Sequence, residues 1–253
     1  MASEKFTIKT KEQVEKMRIA GKYLAGMMVE LEANCKEGVS GLDLDKIAYD
    51  YCIKNNVKPA QIGYHGFPNT ICFGVNDNCV HGIPTNRKLK NGDIVSLDVV
   101  ISYEGWHADM SRTFYVGEVA EETRKFVETV RKSWELAVKE AKIGNRIGAI
   151  SKAIRSTVAA EGYSPLVEFV GHGIGKSMHE GPIIPGAYYE PSDGPIIREG
   201  MVIAIESIIA MGNPKVIIEK DGWTTRTADG SLFAQFENTV VPGIGGAEIL
   251  TMI

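Results

Sequence analysis

Two acidic residues interrupt stretches that otherwise read as buried strands, and they constrain this chain more than any other feature. Asp98 sits within Ile-Val-Ser-Leu-Asp-Val-Val-Ile, and Glu206 within Met-Val-Ile-Ala-Ile-Glu-Ser-Ile-Ile. A carboxylate in such a run is costly unless it is paired or bound to a cation. Asp109 lies on the far arm of a hairpin predicted to turn at Glu104-Gly105, where it can meet Asp98 across the pair. Neighbouring buried acids repel until one is protonated, and a cation between them removes the conflict. His172, in Val-Gly-His-Gly-Ile-Gly, and Glu237, in Ala-Gln-Phe-Glu-Asn-Thr-Val-Val, complete the candidate set. One imidazole and four carboxylates suit Mn, Fe, Co or Zn, not a thiolate-bound structural zinc. One divalent ion leaves two negative charges uncompensated, whereas two ions, about 4 Å apart in known hydrolytic sites, balance all four. Taken singly, each acid also fits a solvent-facing position or a structural ion pair. The residues alone leave amide and phosphoester hydrolysis both open.

Periodicity places helices at 11–36 and 42–55, then strands at 71–75, 94–103 and 106–116. Helices return at 121–142 and 147–161. Short strands follow at 167–170, 201–210, 215–220 and 234–241. The order helix, helix, strands is thus used twice. Gly38 precedes Leu44 by the same interval as Gly144 precedes Ile150, with Lys46 and Lys152 following. This faint repeat points to a duplicated α+β unit with a site between its halves. With no Pro/Ser-rich linker, residues 1–253 read as one domain.

The net charge of −4 argues against a chain whose main task is gripping nucleic acid. Met-Ala-Ser-Glu-Lys at the start carries no secretory pattern, and no apolar run is long enough to span a bilayer. Cys35, Cys52, Cys72 and Cys79 form no CxxC pair and read as free thiols of a cytoplasmic protein.

Seven strings carry a more specific signal. They are Val-His-Gly-Ile-Pro (80–84), Gly-Asp-Ile-Val-Ser-Leu-Asp-Val (92–99), Trp-His-Ala-Asp-Met-Ser-Arg-Thr-Phe (106–114), Gly-His-Gly-Ile-Gly-Lys (171–176), His-Glu-Gly-Pro (179–182), Glu-Gly-Met-Val-Ile-Ala-Ile-Glu (199–206) and Ala-Gln-Phe-Glu-Asn-Thr-Val (234–240). In this order and spacing they resemble type I methionine aminopeptidases, over nearly the whole chain. The resemblance implies the α/β (α+β) "pita-bread" fold, two pseudo-symmetric halves with an antiparallel sheet core and outer helices. It implies five ligands for two divalent ions (Co, Mn, Fe(II), Zn or Ni): Asp109 and Glu237 shared by both, Asp98 on one, His172 and Glu206 on the other. It implies His81 and His179 as catalytic histidines that contact substrate, with Glu206 relaying a proton. A methionine pocket of Tyr64, Phe67, Cys72, Met178 and Trp223 follows from the same match. Such a soft, aromatic lining suits a flexible thioether.

The implied reaction is hydrolysis of the initiator methionine from nascent polypeptides with a small second residue, by water activated between the ions. The implied protein is a monomer without nucleic-acid or membrane partners, and Lys215, Lys220 and Arg226 are candidates for a transient ribosome contact. Asn86-Arg87-Lys88-Leu89-Lys90 reads as a solvated turn. Three residues depart from the family's common pattern: Ser207 where Pro is usual, Asn238 where His is frequent, and Met178 where an aromatic is frequent. These touch the pocket and the surroundings of the ligands, not the ligands themselves. The zinc-binding N-terminal extension of many eukaryotic type I enzymes and the insertion that marks type II are both missing, which implies a short bacterial-type enzyme.

Overall fold

In the computed structural model, which describes residues 6–252, Thr10 and Ser40 start the first two helices with capping boxes. Gln13 N donates to Thr10 Oγ1 and Thr10 N to Gln13 Oε1, while Ser40 and Asp43 make the same reciprocal pair. The opening Met-Ala-Ser-Glu-Lys lies outside the described residues. In chain order the elements are α1 (Lys11–Asn34), α2 (Gly41–Asn55), β1 (Lys58–Pro59), β2 (Cys72–Val75), β3 (Ile94–Tyr103), β4 (Trp106–Tyr115), α3 (Glu121–Glu140), α4 (Ile147–Ala159), β5 (Ser164–Pro165), β6 (Gly171–Gly173), β7 (Glu180–Ile184), β8 (Ile203–Ala210), β9 (Val216–Ile218), β10 (Thr225–Thr227), β11 (Phe233–Val241) and β12 (Glu248–Ile249). The β3–β4 turn at Glu104-Gly105 forms as predicted, with φ of 47° and 77°.

One antiparallel sheet runs β1-β3-β4-β11-β8-β6-β7, with β2, β12 and β5 added on β3, β11 and β8. The hairpin β9–β10 stands apart as a two-stranded ribbon. Helices α1 and α2 pack on Val95, Leu97, Val99 and Ile101 of β3 and on Ala108 and Met110 of β4. Helices α3 and α4 pack on Ile203, Ile205 and Ile209 of β8 and on Ala234 and Phe236 of β11. Both helix pairs therefore cover one face of the sheet, and the acids of these strands lie on the other.

The faint repeat is physical. Gly38 and Gly144 both adopt positive φ, 83° and 96°, and their N–H groups bond Leu89 O and Ile197 O. Bridges Ser40–Lys88 and Arg146–Ile196 then occupy equivalent places in the two halves. Leu44 and Ile150 are both fully buried.

Two local expectations fail. Residues 167–170 form no strand: pairing with β8 is confined to Ser164–Pro165, and Glu168, Phe169 and Val170 turn to line a cavity instead. The Gly181-Pro182 pair is by itself a turn signal, yet Glu180–Ile184 forms β7, because β6 supplies an antiparallel neighbour that local sequence does not announce.

The segment leading into α1 is tied to β7 by a buried ion pair. Lys9 Nζ lies 2.9 Å from Glu180 Oε2, with side chains only 2% and 11% exposed, and Thr7 Oγ1 donates to the same carboxylate. Lys9→Met would leave Glu180 buried without its cation. We expect it to lower unfolding free energy by about 3–5 kcal/mol in urea titration. The double variant Lys9→Met/Glu180→Leu should recover most of that loss, and equal losses in the single and double variants would contradict this account.

Candidate metal centre

Strand register alone brings the candidate ligands to one side of the sheet. Asp98 opposes Ser111, Ser111 opposes Glu237, and Glu237 opposes Glu206. Ala204, two residues before Glu206, opposes His172. Directly paired residues share a face, and so do alternate residues of one strand, so Asp98, Asp109, His172, Glu206 and Glu237 all point the same way. The glycines beside His172 serve the strand packing. A Cβ on Gly173 would fall 2.0 Å from Gly181 O, and one on Gly171 2.6 Å from Ala204 O.

Asp109, His172 and Glu237 each offer a ligand atom within 4.8 Å of the others. His172 Nε2 lies 3.7 Å from Asp109 Oδ2 and 3.9 Å from Glu206 Oε1. Its Nδ1 sits 2.9 Å from Gly173 O, so the proton resides on Nδ1 and the Nε2 lone pair faces the acids. Burial, then the neighbouring His179, pushes the His172 imidazole down to about 3, so it is neutral. Asp98 keeps partial exposure into the cavity, while Asp109, Glu206 and Glu237 are buried.

Burial holds all four carboxyls above the usual carboxylate range. For Asp109 the neighbouring Asp98 adds to it, and for Glu206 both Asp109 and Asp98 do. Glu237 is raised by burial and by all three other acids. Asp109 Oδ1 and Glu237 Oε1 are buried without a hydrogen-bond partner. Mutually repelling acids, orphaned oxygens and an imidazole lone pair on one spot are what a divalent cation site requires, and these residues fit one.

The centre opens into a cavity of about 670 Å³. Every other residue expected at the site lines it: Tyr64, Phe67, Cys72, His81, Met178, His179 and Trp223. Phe67, Cys72 and Met178 are buried, and the Phe67 and Trp223 rings meet edge-on at 5.3 Å. The Tyr64 hydroxyl is 2.8 Å from His179 Nδ1, and the His179 ring lies 4.3 Å from that of His172. His81 adopts φ of 59°, and its ring stands edge-on to Phe169 at 5.5 Å. Both His81 and His179 keep exposed surface inside the concavity, yet the surrounding protein strips enough water to hold both imidazoles below their ordinary range.

Several further residues meet at the site. Gln61 Nε2 reaches Cys72 Sγ at 3.3 Å and Asp98 Oδ1 at 3.5 Å. Gln235 Nε2 donates to Glu206 Oε2 and Glu237 Oε2. Glu168, Phe169 and Val170 form part of the cavity wall. Gln235 had a usable signal, a buried amide two residues before Glu237 on the same strand face; the others had none.

Two departures point away from the centre. Ser207 meets Ser133 Oγ at 3.0 Å and joins β8 to α3. Asn238 accepts from Arg112 Nη2 at 2.6 Å and donates to Thr251 O, which ties the chain's end to β11. Arg226, one of the basic residues considered for ribosome contact, is engaged by Glu219 and Asp77, whereas Lys215 and Lys220 are exposed. Among the described residues no helix is long and apolar enough to cross a membrane.

A profile of metallopeptidase family M24 matches residues 15–242. The methionine aminopeptidase of Borreliella burgdorferi is 44% identical over 237 residues, covering 93% of this chain and 94% of that one. That of Clostridium perfringens is 40% identical over 246 residues, 97% and 98% of the two chains. The crystal structure of methionine aminopeptidase from Thermotoga maritima superposes with a TM-score of 0.96 at 39% identity, covering 98% of this chain and all of that one. With this pita-bread architecture, a cation-ready centre and matches over nearly its whole length, the chain belongs to metallopeptidase family M24, on its methionine aminopeptidase branch.

Proposed function

We propose that this chain removes the initiator methionine from newly made polypeptides whose second residue is small. The observation that carries the reading is the convergence of four carboxylates and one neutral imidazole on a single sheet face at the floor of a cavity. Chains named methionine aminopeptidase at about 40% identity support it. We take the number of divalent ions to be two, because two balance four carboxylates; Co, Mn, Fe(II), Zn and Ni all suit these donors. On this reading Asp109 and Glu237 would serve both ions, Asp98 one, and His172 with Glu206 the other. When bound, such ions polarise a peptide carbonyl and lower the pKa of water from 15.7 to about 7.

The chain's own side chains then supply the rest. We assign the Tyr64 hydroxyl, 2.8 Å away, as the donor to His179 Nδ1. That leaves the proton of neutral His179 on Nε2, where it donates to the oxygen of the first peptide carbonyl. His81 holds the scissile amide. Glu206 takes the proton of the attacking water and passes it to the leaving amine. Tyr64, Phe67, Cys72, Met178 and Trp223 enclose the methionine side chain. Crowding beside the ligands excludes a large second residue. The whole chain acts as one catalytic unit, as a monomer in the cytoplasm, with Lys215 and Lys220 as the basic residues free for a transient ribosome contact.

Metal-stripped protein titrated with Mn, Fe(II), Co or Zn should release methionine from Met-Ala-Ser and not from Met-Lys-Ser. Folded protein that cleaves neither peptide with any of these metals would refute the assignment. His179→Ala, assayed alongside, should lose about 10²–10⁴ in kcat with bound metal unchanged by elemental analysis. Loss of metal in parallel would instead mean that His179 supports the centre itself.

A further inference from the structure

We propose that Gln235 is a positioning residue that decides which oxygen of Glu206 and which oxygen of Glu237 is offered to the cations. This rests on the metal-centre reading above. Gln235 lies two residues before Glu237 on β11, opposite Ile208, and so shares the face of the acids. It is 1% exposed. Its side-chain amide nitrogen stands 3.2 Å from Glu206 Oε2 and 3.1 Å from Glu237 Oε2. An amide NH₂ carries two hydrogens, one for each of these oxygens.

The oxygens left over are the informative ones. Glu237 Oε1 is buried with no partner, and Glu206 Oε1 is the atom that faces His172 Nε2 at 3.9 Å. Gln235 thus ties back one oxygen of each acid and leaves the other free beside the imidazole lone pair. Its base is rigid. Gln235 N donates to Thr113 Oγ1 at 2.9 Å, and the same hydroxyl donates to Gln235 O at 3.1 Å. Because the Thr113 proton is used there, the Ser96 hydroxyl, 2.8 Å away, must donate to Thr113. This chain of hydrogen bonds links β3, β4 and β11 beneath the acids.

The chemistry of the position selects a neutral donor. A lysine would neutralise the acids and compete with the cation, while an ionised acid would repel both of them. An apolar residue would leave two carboxylate oxygens without partners.

Gln235→Met keeps the bulk and removes both hydrogens. Mn(II) binding to metal-stripped parent and variant would be measured by calorimetry, with the electron paramagnetic resonance line shape of the loaded centre recorded in parallel. We expect Mn(II) affinity to fall about 10–100-fold, with a changed line shape and a lower kcat at saturating metal. Thr113→Val loosens the base without touching either acid. It should move affinity in the same direction by less, and it serves as the test should Gln235→Met not fold. Variants that melt earlier but bind Mn(II) within twofold of the parent would overturn the positioning role and leave the metal centre standing. A parent that binds no Mn(II) would overturn both.

Discussion

Glu237→Gln should give a protein that is more stable than the parent without metal and almost inactive with it. Glu237 is raised by burial and by three neighbouring acids, and its Oε1 has no partner. In the metal-free protein it is therefore a liability. A glutamine of the same shape cannot ionise and so removes the repulsion with the neighbouring acids. Replacing a poorly compensated buried charge in this way stabilises by about 1–4 kcal/mol. The same change removes an acid proposed as a metal ligand, so turnover should drop on the order of a thousandfold. Scanning calorimetry of the metal-stripped proteins near pH 8, with and without added Mn(II), separates the effects. The parent should gain stability from Mn(II) far more than the variant does. A variant that melts below the parent without metal, or keeps its full response to Mn(II), would show that Glu237 is held by something other than a cation.

The second large effect is a reversal of the pH dependence of stability by metal. Asp98, Asp109, Glu206 and Glu237 all have folded-state pKa values raised above their unfolded ones, first of all by burial. The folded, metal-free chain therefore binds more protons than the unfolded chain once pH exceeds the unfolded carboxylate value of about 4. Their contribution is fully present below that value and is lost as pH rises through the folded values. His81, His107, His172 and His179 are shifted down, chiefly by burial, and work in the opposite sense below about pH 6.5, where the unfolded chain takes up protons first. Asp98, raised to about 7, loses its share mostly between about pH 4 and 7. From about pH 7 toward 8 most unfolded imidazoles have also lost their proton, and the three acids raised well above the usual carboxylate range decide the sign.

Each excess proton on the folded chain costs about 1.4 kcal/mol of stability per pH unit in that window. Metal-free protein should therefore lose stability over this interval in urea titrations. Metal-loaded protein should gain it, because ligands must be deprotonated to bind. A metal-free profile that is flat or rising from pH 7 to 8 would mean that the acids are ionised in pairs with cations of the protein itself.

Much of the centre was legible in the residues because charge is conspicuous in an apolar run. Asp98 and Glu206 stand out from their strands for that reason, and Asp109 follows from the hairpin at Glu104-Gly105. His172 carried a weaker signal, since its glycines answer to strand packing against Gly181 and Ala204 and not to a ligand. The roles of His81, His179 and the methionine pocket came through family resemblance, because a histidine on a loop carries no mark of what it faces. Gln61, Lys9 and Glu168 were invisible. Lys9 acts on Glu180 and Gln61 on Asp98, partners far away in the chain, and Glu168 reaches the cavity wall only through the fold.

The sequence by itself determined the local grammar: where α1 and α2 begin, where the β3–β4 hairpin turns, and which strand positions share a face. Those properties arise from capping, left-handed turn positions and the alternation of side chains, all of which act over a few residues. Only the tertiary structure decided that β4 pairs with β11, that β6 offers β7 a neighbour, and that both helix pairs cover the same side. None of these is a local choice, and the β4–β11 pairing joins residues more than a hundred positions apart, as Ser111 and Glu237 are joined. They are selected by how the two apolar faces bury together and not by any local preference. That choice left the opposite face to the acids and placed all four carboxylates around one spot.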